Sequence, residues 1–224
     1  TGYENVAIGY WAMKDNTTGR GNTHVGAYAG TGNTIGRYNT GIGEFALQEN
    51  QAGYYNTALG QYALYNTNTA DTTGENVGIG YAAGYTNTTG IRNVFIGHKA
   101  GYANTTAGSN VFIGREAGVA NTTGEGNLAV GMRALDANTT GSYNLAIGQE
   151  ALGANVHGDR HTAVGYQALK NTATADNDGY DTAVGYMAGR LTTTGRYNVY
   201  MGTEAGYTNT SGDQNVYIGY AAGY

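Results

Sequence analysis

Four histidines, His24, His98, His157 and His161, are the side chains best suited to hold a metal or move a proton near neutral pH in a chain without cysteine. His157, Asp159 and His161 stand at alternate positions, close enough in sequence to offer two ring nitrogens and a carboxylate to one ion. A polar turn produces the same spacing without any metal, and that is how the segment reads. Gly-x-Gly stretches such as Gly41-Ile42-Gly43 lack the following helix and the acidic partner that a nucleotide site needs, so they are bends. No catalytic set emerges, and no cofactor is implied. The richer chemical resource is tyrosine, 21 residues of it. Its ring and hydroxyl make contact surfaces of low conformational entropy, suited to glycans or proteins.

What positions these residues is a repeat. Asparagine followed four residues later by glycine recurs at Asn5, Asn22, Asn39, Asn56, Asn76, Asn93, Asn110, Asn127, Asn144, Asn198 and Asn215, with His161 and Asp181 in the asparagine place twice. Every step is 17 residues except two of 20. Such a period marks a solenoid, whose units are too small to bury an apolar face alone and must stack. Counting the asparagine place as slot 1, slot 5 is always glycine and slot 8 always alanine, as in Gly9 and Ala12 or Gly219 and Ala222. Slot 4 is always apolar, from Ile8 to Ile218. Glycine in every half-coil excludes helices, because interior glycine costs about 0.5–1 kcal/mol against alanine and no 3.6-residue rhythm survives. The expectation is an all-β parallel β-solenoid of thirteen coils. Slots 1–4 form a strand, slots 8–10 a second shorter strand, and Asn-Thr-Thr-Gly the return turn. At about 4.8 Å per coil this is a rod on the order of 60 Å.

Slots 3 and 9 trade volume. Phe95, Phe112, Tyr200 and Tyr217 at slot 3 accompany Gly101, Gly118, Gly206 and Gly223 at slot 9, whereas Leu47, Leu64, Leu135, Leu152 and Leu169 accompany Gly or Ala. Close packing predicts this trade if the two slots share one space. Two coils, Gly78/Gly84 and Ala183/Gly189, are small at both slots. Slots 3 and 4 are adjacent on a strand and point to opposite faces, so both faces read as packed, which predicts an oligomer with Phe95, Phe112, Tyr200 and Tyr217 in core or oligomer packing. Asn at slots 1 and 12 predicts stacked amide ladders. In the repeated Asn-Thr-Thr turns at Asn16, Asn87, Asn104, Asn121 and Asn138, turn geometry outweighs the glycosylation-sequon reading. The histidines fall in slots 3, 6, 14 and 1, so stacking gathers them in no single column. Tyrosines recur at slot 6 (Tyr10, Tyr81, Tyr166, Tyr186, Tyr220), slot 10 (Tyr65, Tyr85, Tyr102, Tyr207, Tyr224) and slot 17 (Tyr38, Tyr55, Tyr143, Tyr197). Tyr10, Tyr81, Tyr85, Tyr102, Tyr166, Tyr186, Tyr207 and Tyr220 are the candidate surface contacts.

The chain reads as one repeat domain over 1–224. The two 20-residue coils lie six coils apart with extra residues near 65–71 and 170–176, which suggests two related six-coil modules with a small lip on each. With 12% charged residues, 39 glycines, no proline and a net charge of −5, the composition fits no ordinary enzyme and weighs against nucleic acid. No run approaches 18 consecutive apolar residues, and no signal segment is present, so direct membrane insertion is not expected. Starting mid-repeat at Thr1-Gly2 without a methionine, the chain reads as a processed product or fragment. Its uncapped ends predict flanking protein or end-to-end stacking.

Asn5-Val6-Ala7-Ile8-Gly9 and Asn144-Leu145-Ala146-Ile147-Gly148 resemble the head repeats of trimeric autotransporter adhesins. His161-Thr162-Ala163-Val164-Gly165-Tyr166-Gln167-Ala168-Leu169 is similar to repeats of phage tail fibres and bacterial surface proteins. The resemblance covers every coil. It implies a left-handed parallel β-roll, three chains side by side, acting extracellularly, at a cell surface or in a virion fibre to attach to a glycan or protein receptor. The longer repeat and the tyrosines depart from the adhesin pattern. A filament subunit assembling end to end is the second reading. Ice binding by the Thr-Thr column (Thr17-Thr18, Thr88-Thr89, Thr105-Thr106) is the third, and Gln51-Ala52 and Val156-His157 interrupt that column.

Overall fold

A computed structural model describes residues 2–68, 73–173 and 179–224. It is an all-β parallel β-solenoid, with no helix among the described residues. Each coil contributes one three-residue strand from slots 2–4. Two compact units divide the chain, Thr1–Asn110 and Val111–Tyr224. The first unit holds β1 (Val6–Ile8), β2 (Thr23–Val25), β3 (Thr40–Ile42), β4 (Thr57–Leu59), β5 (Val77–Ile79) and β6 (Val94–Ile96). The second holds β7 (Val111–Ile113), β8 (Leu128–Val130), β9 (Leu145–Ile147), β10 (Thr162–Val164), β11 (Thr182–Val184), β12 (Val199–Met201) and β13 (Val216–Ile218). Within each unit successive strands pair in parallel, slot on slot, as Ala7 on His24 and Phe112 on Ala129.

The expected second strand at slots 8–10 does not form. Slots 7 and 9 both take left-handed backbone, as in Trp11 (φ 57°), Met13 (φ 52°), Phe45 (φ 60°) and Leu47 (φ 52°), and a strand cannot pass through such residues. A row of overlapping turns takes its place. The Ala12 amide donates to Gly9 O (3.3 Å), Lys14 to Trp11 O (3.2 Å) and Asn16 to Met13 O (3.1 Å). The intervening amides reach the next coil, Met13 N to Ala29 O (3.0 Å) and Asp15 N to Thr31 O (3.1 Å). Half the amides close turns and half bind coil to coil, so the turn face is as fully hydrogen-bonded as the strand face. Slot 5 must be glycine for two reasons. Gly80 lies at φ +124°, and a Cβ there would stand 2.7 Å from Gly97 O of the next coil.

The interior is filled by slots 1, 3, 8, 9 and 12. The slot 1 ladder forms as expected: Asn22 Nδ2 donates to Asn5 Oδ1 (3.1 Å) and Asn39 Nδ2 to Asn22 Oδ1 (3.2 Å). Slot 12 forms a second ladder, as Asn138 Nδ2 to Asn121 Oδ1 (2.7 Å). Both ladders also fix the return turn, since Asn5 and Asn16 donate to the same Gly19 carbonyl. The sequon residues Asn87, Asn104, Asn121 and Asn138 are buried in the slot 12 ladder. In the long coils Thr67 and Thr172 replace asparagine at slot 12. Register holds through slot 13, where Asn68 N donates to Thr88 O (2.8 Å) and Ala173 N to Thr193 O (3.0 Å). The lips therefore begin later than slot 9. Residues 69–71 and 174–176 of the expected lips lie outside the described residues.

Slot 3 points inward. Phe95, Phe112 and Tyr200 are fully buried, and Tyr217 is half-buried, so these four pack the core of the chain. The trade with slot 9 operates between coils as well as within them. Gly84 is held small by Phe95 of the following coil, 2.5 Å from its notional Cβ, and by Leu64 of the preceding one at 2.7 Å. Gly189 sits likewise between Tyr200 and Leu169. These are the two coils that looked like exceptions. Slots 2 and 4 point outward and stay partly accessible, with Ile42, Leu59, Ile147, Val184 and Met201 among the exposed aliphatics. The single chain covers one strand face and leaves the other apolar and open.

Candidate functional site

Two columns on the turn face carry most of the large polar and aromatic side chains, slot 7 and slot 10. In the first unit each carries a run of aromatic rings. Tyr28 stacks on Phe45 (ring centroids 5.0 Å apart) and Phe45 on Tyr62 (4.9 Å), while Tyr65 stacks on Tyr85 (5.0 Å) and Tyr85 on Tyr102 (5.1 Å). These distances follow from the coil spacing of about 4.8 Å, which sets flat rings in successive coils at stacking range. The slot 7 rings Trp11, Tyr28, Phe45 and Tyr62 escape a reading that follows tyrosine alone. The available signal was an aromatic at one slot in four consecutive coils.

At Ala82 the slot 7 column is interrupted. A cavity of about 290 Å³ opens there, lined by Tyr62, Tyr81, Ala82, Tyr85, Lys99 and Tyr102. It brings together three expected contact residues from two columns, Tyr81 from slot 6 and Tyr85 and Tyr102 from slot 10. Tyr81 also lies flat against His98 (5.3 Å). Tyr10 stacks on Trp11 (5.0 Å) elsewhere in the same unit, and does not reach this cavity. Burial, with the neighbouring Tyr102 adding to it, pushes the Tyr85 phenol above its ordinary range, so it remains a hydrogen-bond donor at neutral pH. Lys99 lies 5.6 Å from the Tyr102 ring centre and forms no ion pair among the described residues.

In the second unit the same two slots carry charge. Arg133 pairs with Asp136 (2.9 Å) and reaches Glu150 at 4.0 Å, and Lys170 pairs with Glu150 (2.6 Å). Gln167 donates to Glu150 (2.8 Å), Arg190 donates to Gln167 Oε1 (2.8 Å) and to Tyr207 Oη (2.7 Å). The expected contact residues are scattered here. Tyr166 and Tyr186 stack at 5.3 Å, Tyr207 stacks on Tyr224 at 5.5 Å, and Tyr220 stands exposed.

The histidines go separate ways. His24 occupies slot 3, fully buried between Gly30 and Gly41, and burial lowers its pKa to about 4. His157 Nδ1 faces Thr140 Oγ1 (2.8 Å) at the surface, Asp159 accepts from the Ser142 amide (2.6 Å), and His161 is sealed in the asparagine ladder. Among the described residues no three His, Cys, Asp or Glu side chains gather as metal ligands. His161 and Asp181, successive in the ladder, lie 3.6 Å apart. The Asp181 amide donates to His161 Nδ1, so that nitrogen carries no proton. Burial lowers His161 to about 4 and raises Asp181 to about 7, so both are neutral between about pH 4 and 7. Asp181 Oδ2 stands where an asparagine would offer its NH2, and has no hydrogen-bond partner among the described residues. An ionised carboxylate is costly in that position.

Compared with protein-family models, with curated protein sequences and with solved structures, the chain matches none.

Proposed function

We propose that the protein is a non-enzymatic fibrous attachment protein, working outside the cell, at its surface or in a virion fibre. Its coils associate side by side with further copies through slots 2 and 4. The observation that carries this is the outer strand face. In every coil slot 4 is Ile, Val, Leu or Met, and slot 2 is Val, Leu or Thr, with no charge in either column. A two-column aliphatic surface repeated on every coil is the kind of patch that marks an interface. Three chains meeting along it is the number the adhesin-like repeats suggest. The turn face, with its ring columns and notch, then remains outward for contact with a receptor. The slot 13 threonines weigh against ice binding, since Thr17, Thr34, Thr88, Thr122 and Thr193 donate their hydroxyls to carbonyls of the next coil. Sedimentation equilibrium of the whole chain tests the association. A trimer mass is expected, and Val94→Lys with Ile147→Lys, one charge placed on the outer face of each unit, shifts it to monomer. A wild-type monomer at micromolar concentration overturns side-by-side assembly.

A further inference from the structure

We infer that the notch at Ala82 is a binding site for one carboxylated sugar residue, a uronic acid or a related acidic pyranose. The inference rests on the attachment reading and gives its contact face a ligand class.

The notch is a missing tooth. From Trp11 to Glu204, slot 7 carries a long side chain in every coil except the one holding Ala82. One face of the Tyr62 ring is covered by Phe45 at 4.9 Å and an interplanar angle of 7°. On the other side no ring stacks, and Tyr81 meets Tyr62 edge-on at 6.1 Å and 88°. Tyr85 and Tyr102, parallel at 5.1 Å, form the second wall, and Lys99 supplies a cation from the next slot 7 position. The backbone at Ala82 has the same left-handed form as at Tyr28 and Tyr62, so the coil would accept a ring there.

The volume of about 290 Å³ lies just below the usual range of ligand pockets, roughly 300–1,000 Å³, and suits one six-membered ring rather than a chain. The uncovered face of the Tyr62 ring offers negative π-density to the polarised C–H bonds of a pyranose, while Tyr85, its own faces covered by Tyr65 and Tyr102, presents its edge, and phenol hydroxyls pair with sugar hydroxyls. Lys99 decides the charge. An aromatic face alone would favour a cation. A second cation beside the Lys99 ammonium meets like-charge repulsion that, at contact distance near a protein surface, exceeds the pull of a ring face, so the cation loses. A carboxylate in that place gains what the cation forfeits, and among the described residues no acidic side chain lines the notch to compete with it.

Ala82→Tyr supplies the test, because it completes the stack with a residue that neighbouring coils already carry. Binding of methyl β-D-glucuronide and methyl β-D-glucoside to the whole chain is measured by ligand-detected NMR and titration calorimetry. Wild type is expected to bind the glucuronide at least ten-fold more tightly than the glucoside. Ala82→Tyr loses both by more than ten-fold, and Lys99→Gln removes the preference while retaining the glucoside. Absence of saturable glucuronide binding, or equal binding by Ala82→Tyr, overturns the proposal, as does a preference unchanged in Lys99→Gln. Retention of the chain on glycan-bearing surfaces is read separately. Retention without acid-sugar binding overturns the notch and leaves the attachment reading standing, whereas acid-sugar binding without retention overturns the attachment reading.

Discussion

The turn faces of the two units have the same backbone and opposite chemistry. In the first, slots 7 and 10 stack rings from Tyr28 to Tyr62 and from Tyr65 to Tyr102. In the second, Arg133, Asp136, Glu150, Lys170 and Arg190 fill those slots and pair along the column. A solenoid places identical slots about 4.8 Å apart, so each column must hold side chains that tolerate close repetition. Flat rings do so by stacking, and charges do so by alternating in sign. The slot itself prescribes neither. The difference teaches that the interior of a coil is determined by the fold, while the turn face is free to be assigned a task. The break at Ala82 has a consequence only in the aromatic unit, where it opens a walled notch.

The largest effect should be the same in both units and test what they share. Gly80→Ala in the first unit and Gly131→Ala in the second each force a Cβ to within 2.7 Å of the next coil's backbone, at φ +124° and +136°. Each is expected to cost about 3 kcal/mol or more, a fall of roughly 6–12 °C in melting temperature by calorimetry. Near-wild-type melting for either would show that the coils part more easily than this packing allows.

The next effect separates the units by pH. His24 is held neutral by burial, its pKa lowered from 6.5 to about 4. The unfolded chain binds a proton there first, so the stabilisation is full above pH 6.5 and declines toward pH 4, by about 3 kcal/mol. In the second unit His161 acts in the same direction, but Asp181, raised from 3.8 to about 7, makes stability fall as pH rises across that interval. The two partly cancel. Hydrogen exchange resolved along the chain should show protection in β1–β3 dropping more steeply on acidification than in β9–β12. His24→Phe should flatten the first response, since Gly30 and Gly41 leave room for a ring. Equal acid sensitivity in both units would break the contrast.

The smallest effects concern the columns themselves. Phe45→Ala removes two stacked contacts, with Tyr28 and Tyr62, and an edge contact with Tyr65, and should lower stability by about 1–3 kcal/mol, with little change between low and high salt. Arg133, half exposed, should cost less than about 1 kcal/mol on change to Ala, and that cost should fade in 1 M salt. Salt-dependent urea melts distinguish the two columns, and a salt response from Phe45→Ala would contradict the stacking account.

Much of the fold was legible because the constraints act within one coil. Glycine at slot 5, alanine at slot 8 and the amide ladders at slots 1 and 12 each follow from the period together with local chemistry. The trade between Phe95 and Gly101 could be read in the same way. Gly78 with Gly84, and Ala183 with Gly189, could not, because their partners, Leu64, Phe95, Leu169 and Tyr200, belong to neighbouring coils. The supposed second strand fails for a related reason. Lys99, Arg133 and Glu150 at φ 55–56° give no residue-type sign of left-handed backbone, which neighbouring coils impose through their hydrogen bonds.

The candidate site lay still further from view. Tyr81, Tyr85 and Tyr102 could be chosen as surface tyrosines, but their convergence depends on Ala82 being small between Tyr62 and Lys99, which counting tyrosines does not reveal. By itself the sequence determined the period, the coil count, the amide ladders and the apolar residue at slot 4 of every coil, because a repeat must satisfy the same contacts in each coil, while which strand face turned inward was decided by the structure. Only the tertiary structure decided which slots turn, which coils share each other's space and where the ring columns part. Those outcomes depend on side chains 17 or 20 residues apart meeting about 5 Å apart, and that proximity exists only once the coils have stacked.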